Sequence, residues 1–158
     1  MRAKLVLVTV LTLLVAGGAT VNAAPLARYA GYGGPVAALG CTSMTIGGSA
    51  DAGLGDIDEA AYQDCSYGGF FNLVVTPRLP WRMSTTIDDI EVAISGPFCE
   101  GTVTGSADTT YDSVTGVLTV VSQSTTVSYI DPDNDCLGLI NEGEHLSVLP
   151  DSYDVVAA

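Results

Sequence analysis

Residues 131–142 read Asp-Pro-Asp-Asn-Asp-Cys-Leu-Gly-Leu-Ile-Asn-Glu, with aspartates at three alternate positions and a glutamate closing the run. Oxygen ligands spaced this way suit a hard cation. Calcium takes about six to eight oxygens at about 2.3–2.6 Å. A twelve-residue loop supplies them from side chains at its first, third and fifth positions, a carbonyl at the seventh and a bidentate carboxylate at the last. Those places fall on Asp131, Asp133, Asp135, the carbonyl of Leu137 and Glu142. Calcium is therefore the one cofactor the sequence suggests, and these four carboxylates are its candidate ligands. Two features oppose it. Cys136 stands where the sharp turn wants glycine, and the flanking segments read as strands rather than helices. The competing reading is a solvated acidic turn, which Asp, Asn and Pro build unaided.

Other chemistry is less sharply marked. A hydrolytic nucleophile needs a base within hydrogen-bond reach, and the sole histidine, His145, follows Glu144 at the start of an expected strand, with no serine in a Gly-x-Ser-x-Gly turn. Carboxylate pairs cleave glycosides, and Asp88, Asp89, Glu91 and Glu100 qualify by residue type alone. Trp81, the only tryptophan, lies between Arg78 and Arg82 in Thr-Pro-Arg-Leu-Pro-Trp-Arg-Met. Tryptophan and arginine together have the composition of a binding hot spot, so Arg78, Trp81 and Arg82 form a candidate binding patch, and the same stretch is the one candidate for an inhibitory loop. The alternative is that Trp81 packs inside while the arginines pair with Asp88 or Asp89.

The elements that must carry these residues follow from the rest of the chain. Arg2 and Lys4 precede an apolar run from Leu5 to Ala16, and Val21-Asn22-Ala23 closes it with small residues. This is the layout of a secretory signal peptide cleaved after Ala23. The run is shorter than the roughly 20 apolar residues that span a bilayer, and no second such run follows. The protein is thus expected outside the cell, acting on an extracellular or cell-envelope partner. Beyond Ala23, three arginines face eighteen carboxylates, a formal charge of −15. That surface repels phosphate backbones and anionic lipid, which argues against nucleic acid and membrane partners. Four cysteines in an exported chain read as two disulfides. Of three pairings, Cys41–Cys65 with Cys99–Cys136 is preferred because each then staples neighbouring segments.

Residues 24–35, rich in Gly, Ala and Tyr, read as a flexible leader, leaving 36–158 as a single β domain. A helical turn is expected at 56–63, where Asp56 and Glu59 have capping-box spacing. Elsewhere strands dominate. Ile90, Val92 and Ile94 alternate with polar or small neighbours, as do 70–75 and 99–111, and further strands are expected at 41–46, 116–122, 125–130, 145–149 and 152–156. A hairpin turn is expected from Tyr111 to a left-handed Gly116. About eight short strands joined by Gly and Asp turns indicate an all-β fold, an antiparallel sandwich of the jelly-roll or immunoglobulin-like kind.

The last 60 or so residues carry Cys-Glu-Gly-Thr-Val-Thr-Gly at Cys99 to Gly105, Tyr-Asp with Thr-Gly at Tyr111 to Gly116, and Cys-Leu-Gly-Leu-Ile-Asn at Cys136 to Asn141. This pattern resembles a group of small, largely uncharacterised secreted proteins of actinobacteria. The resemblance implies a secreted β domain and a Cys99–Cys136 bridge, and it names no activity. The leading expectation is a non-enzymatic extracellular module. The alternatives are a small polysaccharide hydrolase using a carboxylate pair and a protease inhibitor.

Overall fold

The structure, a computed structural model, describes residues 27–50 and 53–158; the expected signal peptide at 1–23 lies outside them. The described residues hold ten strands: β1 (Arg28–Gly33), β2 (Ser43–Ser49), β3 (Ile57–Gln63), β4 (Cys65–Tyr67), β5 (Phe71–Pro77), β6 (Arg82–Met83), β7 (Thr86–Gly96), β8 (Cys99–Asp112), β9 (Val117–Asp135) and β10 (Ser152–Ala157). Two single 3-10 turns, at Ala37–Leu39 and Cys136–Gly138, are the only helical elements among them. All pairings are antiparallel, and the strands run β3-β2-β1-β10-β9-β8-β7-β5-β4, with β6 on β7.

The all-β, doubly bridged expectation holds, but the architecture is one sheet curled into a nearly closed barrel, not two stacked sheets. Closure is visible at β3. Ile57 and Trp81 exchange both backbone hydrogen bonds, N to O at 3.0 Å each way, which brings the far edge of the sheet back against the β6–β7 side. Irregularities of register bend the strands enough to curl. They occur at Gly47/Gly48 in β2, at Ile87/Ile90 in β7 and at three places along β8 and β9, and bulges increase local twist and bend the strand that carries them. At Gly105, φ 155° and the near approach of the Ser124 carbonyl leave no room for a Cβ.

Alternation places the core. Ile90, Val92 and Ile94 of β7, Val103 of β8, and Leu118 and Val127 of β9 are all buried inside the barrel. The expected hairpin forms as well. Asp112 Oδ1 accepts the amides of Val114 at 2.8 Å and Thr115 at 3.4 Å, and Gly116 is left-handed at φ 72°. The amide of Val114 is the main cause holding the Asp112 carboxyl below the usual carboxylate range.

Both preferred disulfides form, Cys41–Cys65 across 24 residues and Cys99–Cys136 across 37. Each contributes on the order of 3–4 kcal/mol by restricting the unfolded chain. Gly40, left-handed at φ 61°, lies so close to the Ser66 backbone that any side chain there would collide with it. That approach lets Cys41 reach Cys65.

Three local expectations are corrected. Residues 28–33, expected in a loose leader, form β1, because β2 and β10 pair with its two edges. Residues 57–63, expected as a helical turn, form β3 on β2. The capping residues there have other partners: Asp56 accepts the Met83 amide at 3.1 Å, and Asp58 and Glu59 grip Arg28. Long-range pairing overrides local propensity. Segments 116–122 and 125–130 are one continuous strand, β9.

The expected strand at 145–149 does not form as a strand, although its apolar residues are buried. Leu146, Val148 and Leu149 enter the core; the backbone keeps one bridge to β9, at His145–Thr126 with the Leu146 amide donating to the Thr125 carbonyl at 3.2 Å, and beyond it leaves the ladder. Side chains satisfy it instead. The Gln123 carboxamide accepts from the amides of Val148 and Leu149, both at 3.0 Å, and donates to the Leu149 carbonyl at 2.8 Å. Tyr62 Oη donates to the Val148 carbonyl at 2.8 Å, and Thr125 Oγ1 donates to that of Leu146 at 2.7 Å. The segment is a strap gripped by β9 on one side and by β3 on the other.

Removing the Gln123 carboxamide orphans three backbone groups. At about 1–3 kcal/mol for a buried group left unsatisfied, Gln123→Ala should cost roughly 2–4 kcal/mol in chemical denaturation. Ser122→Ala, which loses only an exposed bond to Asp108, should cost about 1 kcal/mol or less. Burial is also the chief cause raising the phenols of Tyr29, Tyr62 and Tyr153 above the ordinary value. An acid whose folded value lies above its unfolded one stabilises the fold fully below the unfolded pKa, about 10 for tyrosine, and loses that contribution above it. Stability should therefore hold up to about pH 10 and fall beyond it. Tyr32, Tyr67, Tyr111 and Tyr129 should ionise gradually in the folded protein, whereas the tyrosinate absorbance of the three buried ones should appear only with unfolding; ionisation of all seven before unfolding would contradict the burial of those three.

Candidate functional site

The acidic run does not assemble into an ion cage. Asp131, Asp133 and Asp135 lie on the last part of β9 rather than in a wrapped loop. Asp131 Oδ1 accepts the amides of Asp133 at 2.8 Å and Asn134 at 3.0 Å, and its Oδ2 accepts the Tyr129 hydroxyl at 3.3 Å. Its carboxylate thus caps its own turn. Asp135 stands opposite Cys99 across the ladder, and Glu142 is exposed in the turn beyond Ile140. Among the described residues no three Asp, Glu, His or Cys side chains gather so as to hold a metal. The four proposed ligands are therefore not brought together.

The Arg78, Trp81, Arg82 patch is corrected too. Trp81 is wholly buried, and its backbone is locked to Ile57, so Thr-Pro-Arg-Leu-Pro-Trp-Arg-Met presents no indole to a partner. Arg82 Nε donates to Asp89 at 2.6 Å, and Arg78 pairs with Glu91 at 3.3 Å. The Trp81 indole N–H has no hydrogen-bond partner; nothing in the structure accounts for it.

A shallow cleft on the outer wall does collect three of the carboxylates considered for glycoside cleavage. Asp88, Asp89 and Glu91 line it with Arg82, Thr104 and Ser106. Asp89 sits at the β7 bulge with φ 56°, which turns its side chain to Arg82. All three acids are engaged, Asp89 by Arg82, Asp88 by the Thr86 hydroxyl at 2.8 Å, and Glu91 by Arg78. Glu100 stands apart, near the start of β8. His145 is exposed and bridges Thr126.

A different feature emerges at one end of the barrel. There the β4–β5 turn, the β7–β8 turn and the 3-10 turn after β9 come together. Phe70 is 83% exposed, Phe98 56%, Leu137 58% and Leu139 44%. Two hydrogen bonds tie these segments together, and a third closes the β4–β5 turn on itself. Phe70 N donates to the Tyr67 carbonyl at 3.0 Å, Tyr67 Oη donates to the Leu139 carbonyl at 3.2 Å, and Cys136 N donates to the Phe98 carbonyl at 2.9 Å. The Cys99–Cys136 bridge fastens two of these turns, and Cys41–Cys65 anchors the strand that leads to the third. Cys136, Leu137 and Gly138 are all left-handed, with φ of 58°, 56° and 69°. Non-glycine residues in this region cost on the order of 1–3 kcal/mol each and persist only where the surroundings enforce them. Leu137 is thus held outward by a constrained backbone. The sequence offered a signal for this end: an aromatic residue directly after Gly68-Gly69 and another directly after Gly96-Pro97.

Comparison of the chain with protein families, with curated proteins and with solved structures gives no match.

Two outcomes follow. Millimolar calcium should leave the melting temperature unchanged, since the acidic run forms no cage; a rise that Asp133→Ala removes would contradict that placement. Trp81 emission should be blue-shifted in the folded protein and move to the red on unfolding, and strong quenching by iodide in the folded state would contradict its burial.

Proposed function

We propose that this protein is an exported, non-enzymatic contact module that meets a partner through the apolar end of its barrel. The observation that carries the reading is the joining of Phe70, Phe98, Leu137 and Leu139 at one stapled end. Isolated exposed apolar residues are ordinary, whereas a contiguous patch marks an interaction site. Rigid turns also lower the ordering cost of association. The filled interior supports the reading, because function then falls to the outer surface. Two disulfides suit an oxidising compartment outside the cytoplasm. The resemblance of the last 60 or so residues to small secreted actinobacterial proteins points the same way.

Site-specific photo-crosslinking on the producing cells tests this. A photoreactive phenylalanine analogue at Phe98 should give a discrete adduct. The same group at Val114 should give none, although that residue is 93% exposed, because it lies past the far end of the fourteen-residue β8. No adduct at Phe98, or equal adducts at both positions, would overturn the proposal.

A further inference from the structure

We propose that the occupant of the apolar end is a cationic protein surface, with apolar side chains flanked by lysine or arginine; this rests on the contact-module reading above. Charge around the end carries the inference. Asp135 is two residues from Leu137, and Glu100 is two residues from Phe98. At about 3.8 Å between consecutive Cα atoms, neither carboxylate-bearing Cα can lie more than about 7.6 Å from that of its apolar neighbour. That is within the screening length of about 8 Å at physiological salt. The rim charge therefore acts on the same contact as the apolar tips. Asp133, also exposed, adds to it.

Among the described residues no basic side chain offsets this rim. All three arginines among the described residues are bound elsewhere, Arg28 to Asp58 and Glu59, Arg78 to Glu91 and Arg82 to Asp89. A second copy of the chain would set one acidic rim against another, in molecules that each carry −15 beyond Ala23. Anionic lipid would meet the same repulsion. A basic partner is drawn in by the field and then held by desolvation of the aromatic and leucine tips. Charge sets approach and orientation, and the apolar contacts set how long the complex lasts.

The test uses the purified, disulfide-bonded protein, uniformly labelled with nitrogen-15, and three alternating peptides of equal length. One is lysine/leucine, one lysine/glycine and one glutamate/leucine. The lysine/leucine peptide should shift the amides of Phe70, Phe98, Leu137 and Leu139, and bind at least about tenfold more tightly than either of the others. Its affinity should fall about tenfold or more between about 50 and about 500 mM sodium chloride. Leu137→Gly relieves the left-handed backbone while removing the side chain. It should weaken binding about tenfold without lowering the melting temperature, which separates contact from folding. If lysine/glycine binds equally well, charge alone acts and the proposal falls. If glutamate/leucine binds the end equally well, the cationic partner is wrong while the contact-module reading stands. If the same amides shift with protein concentration alone, the occupant is a second copy and the proposal is overturned. If no peptide perturbs this end, both readings fall together.

Discussion

The fold depends on how a stretch of backbone that bonds to the β9 backbone only near its two ends is kept inside a barrel. Between Glu144 and Asp151 the chain carries Leu146, Val148 and Leu149 into the core, and with them peptide groups that are largely withdrawn from water. A buried amide or carbonyl without a partner costs about 1–3 kcal/mol, so apolar burial of the strap is sustainable only if its polar atoms are met. Gln123 meets three of them from β9, and Tyr62 and Thr125 each meet one more. Because Tyr62 belongs to β3 and Gln123 to β9, the strap ties together strands that are not neighbours in the sheet. The same bonds that make it soluble in the core help hold the barrel shut.

That arrangement decides where function can reside. Small barrels either fill their interior with side chains or keep a cavity for a ligand. Here Trp81, Met44, Tyr153 and the strap fill it, leaving the rims and the outer wall. On the outer wall the three described arginines are each held by facing acids, and the exposed apolar residues there, such as Val74, Val121 and Val156, lie on strands rather than on turns. One end differs. It gathers apolar tips on turns fixed by disulfides and by a run of left-handed residues, and it does so beside unpaired carboxylates. The same two staples that stabilise the fold thus also limit the motion of the surface proposed to bind.

Much of this was legible in the residues. Alternation located β5, β7 and β8, and each disulfide joined the segments expected. What failed has physical reasons. Alternating strands look the same in a sandwich and in a barrel, because the difference lies in long-range closure, here the Ile57–Trp81 pairing. Asp56 and Glu59 mimic a helix start when read locally, but Asp56 serves Met83 and Glu59 serves Arg28. The Gly- and Tyr-rich segment of β1 looks too loose for a strand until both its edges are paired. His145 to Leu149 reads as a strand, yet most of its hydrogen bonds come from side chains elsewhere in the chain, Gln123, Thr125 and Tyr62. The apolar end was harder to see, since Phe70, Phe98, Leu137 and Leu139 are scattered in sequence and meet only after folding. Acidic spacing at Asp131 to Glu142 suggested an ion, but spacing alone does not show that Asp131 is already committed to the amides beyond it.

Native-state hydrogen exchange at the amides of Val148 and Leu149 tests the central claim most directly. If Gln123 and the barrel walls truly hold the strap, both amides should exchange only through global unfolding, with the same opening free energy and denaturant dependence as the amides of Val92 and Val103 in the central strands. Rapid exchange at Val148 and Leu149, independent of denaturant while the central strands stay protected, would show a strap that opens by itself and a barrel that does not need it.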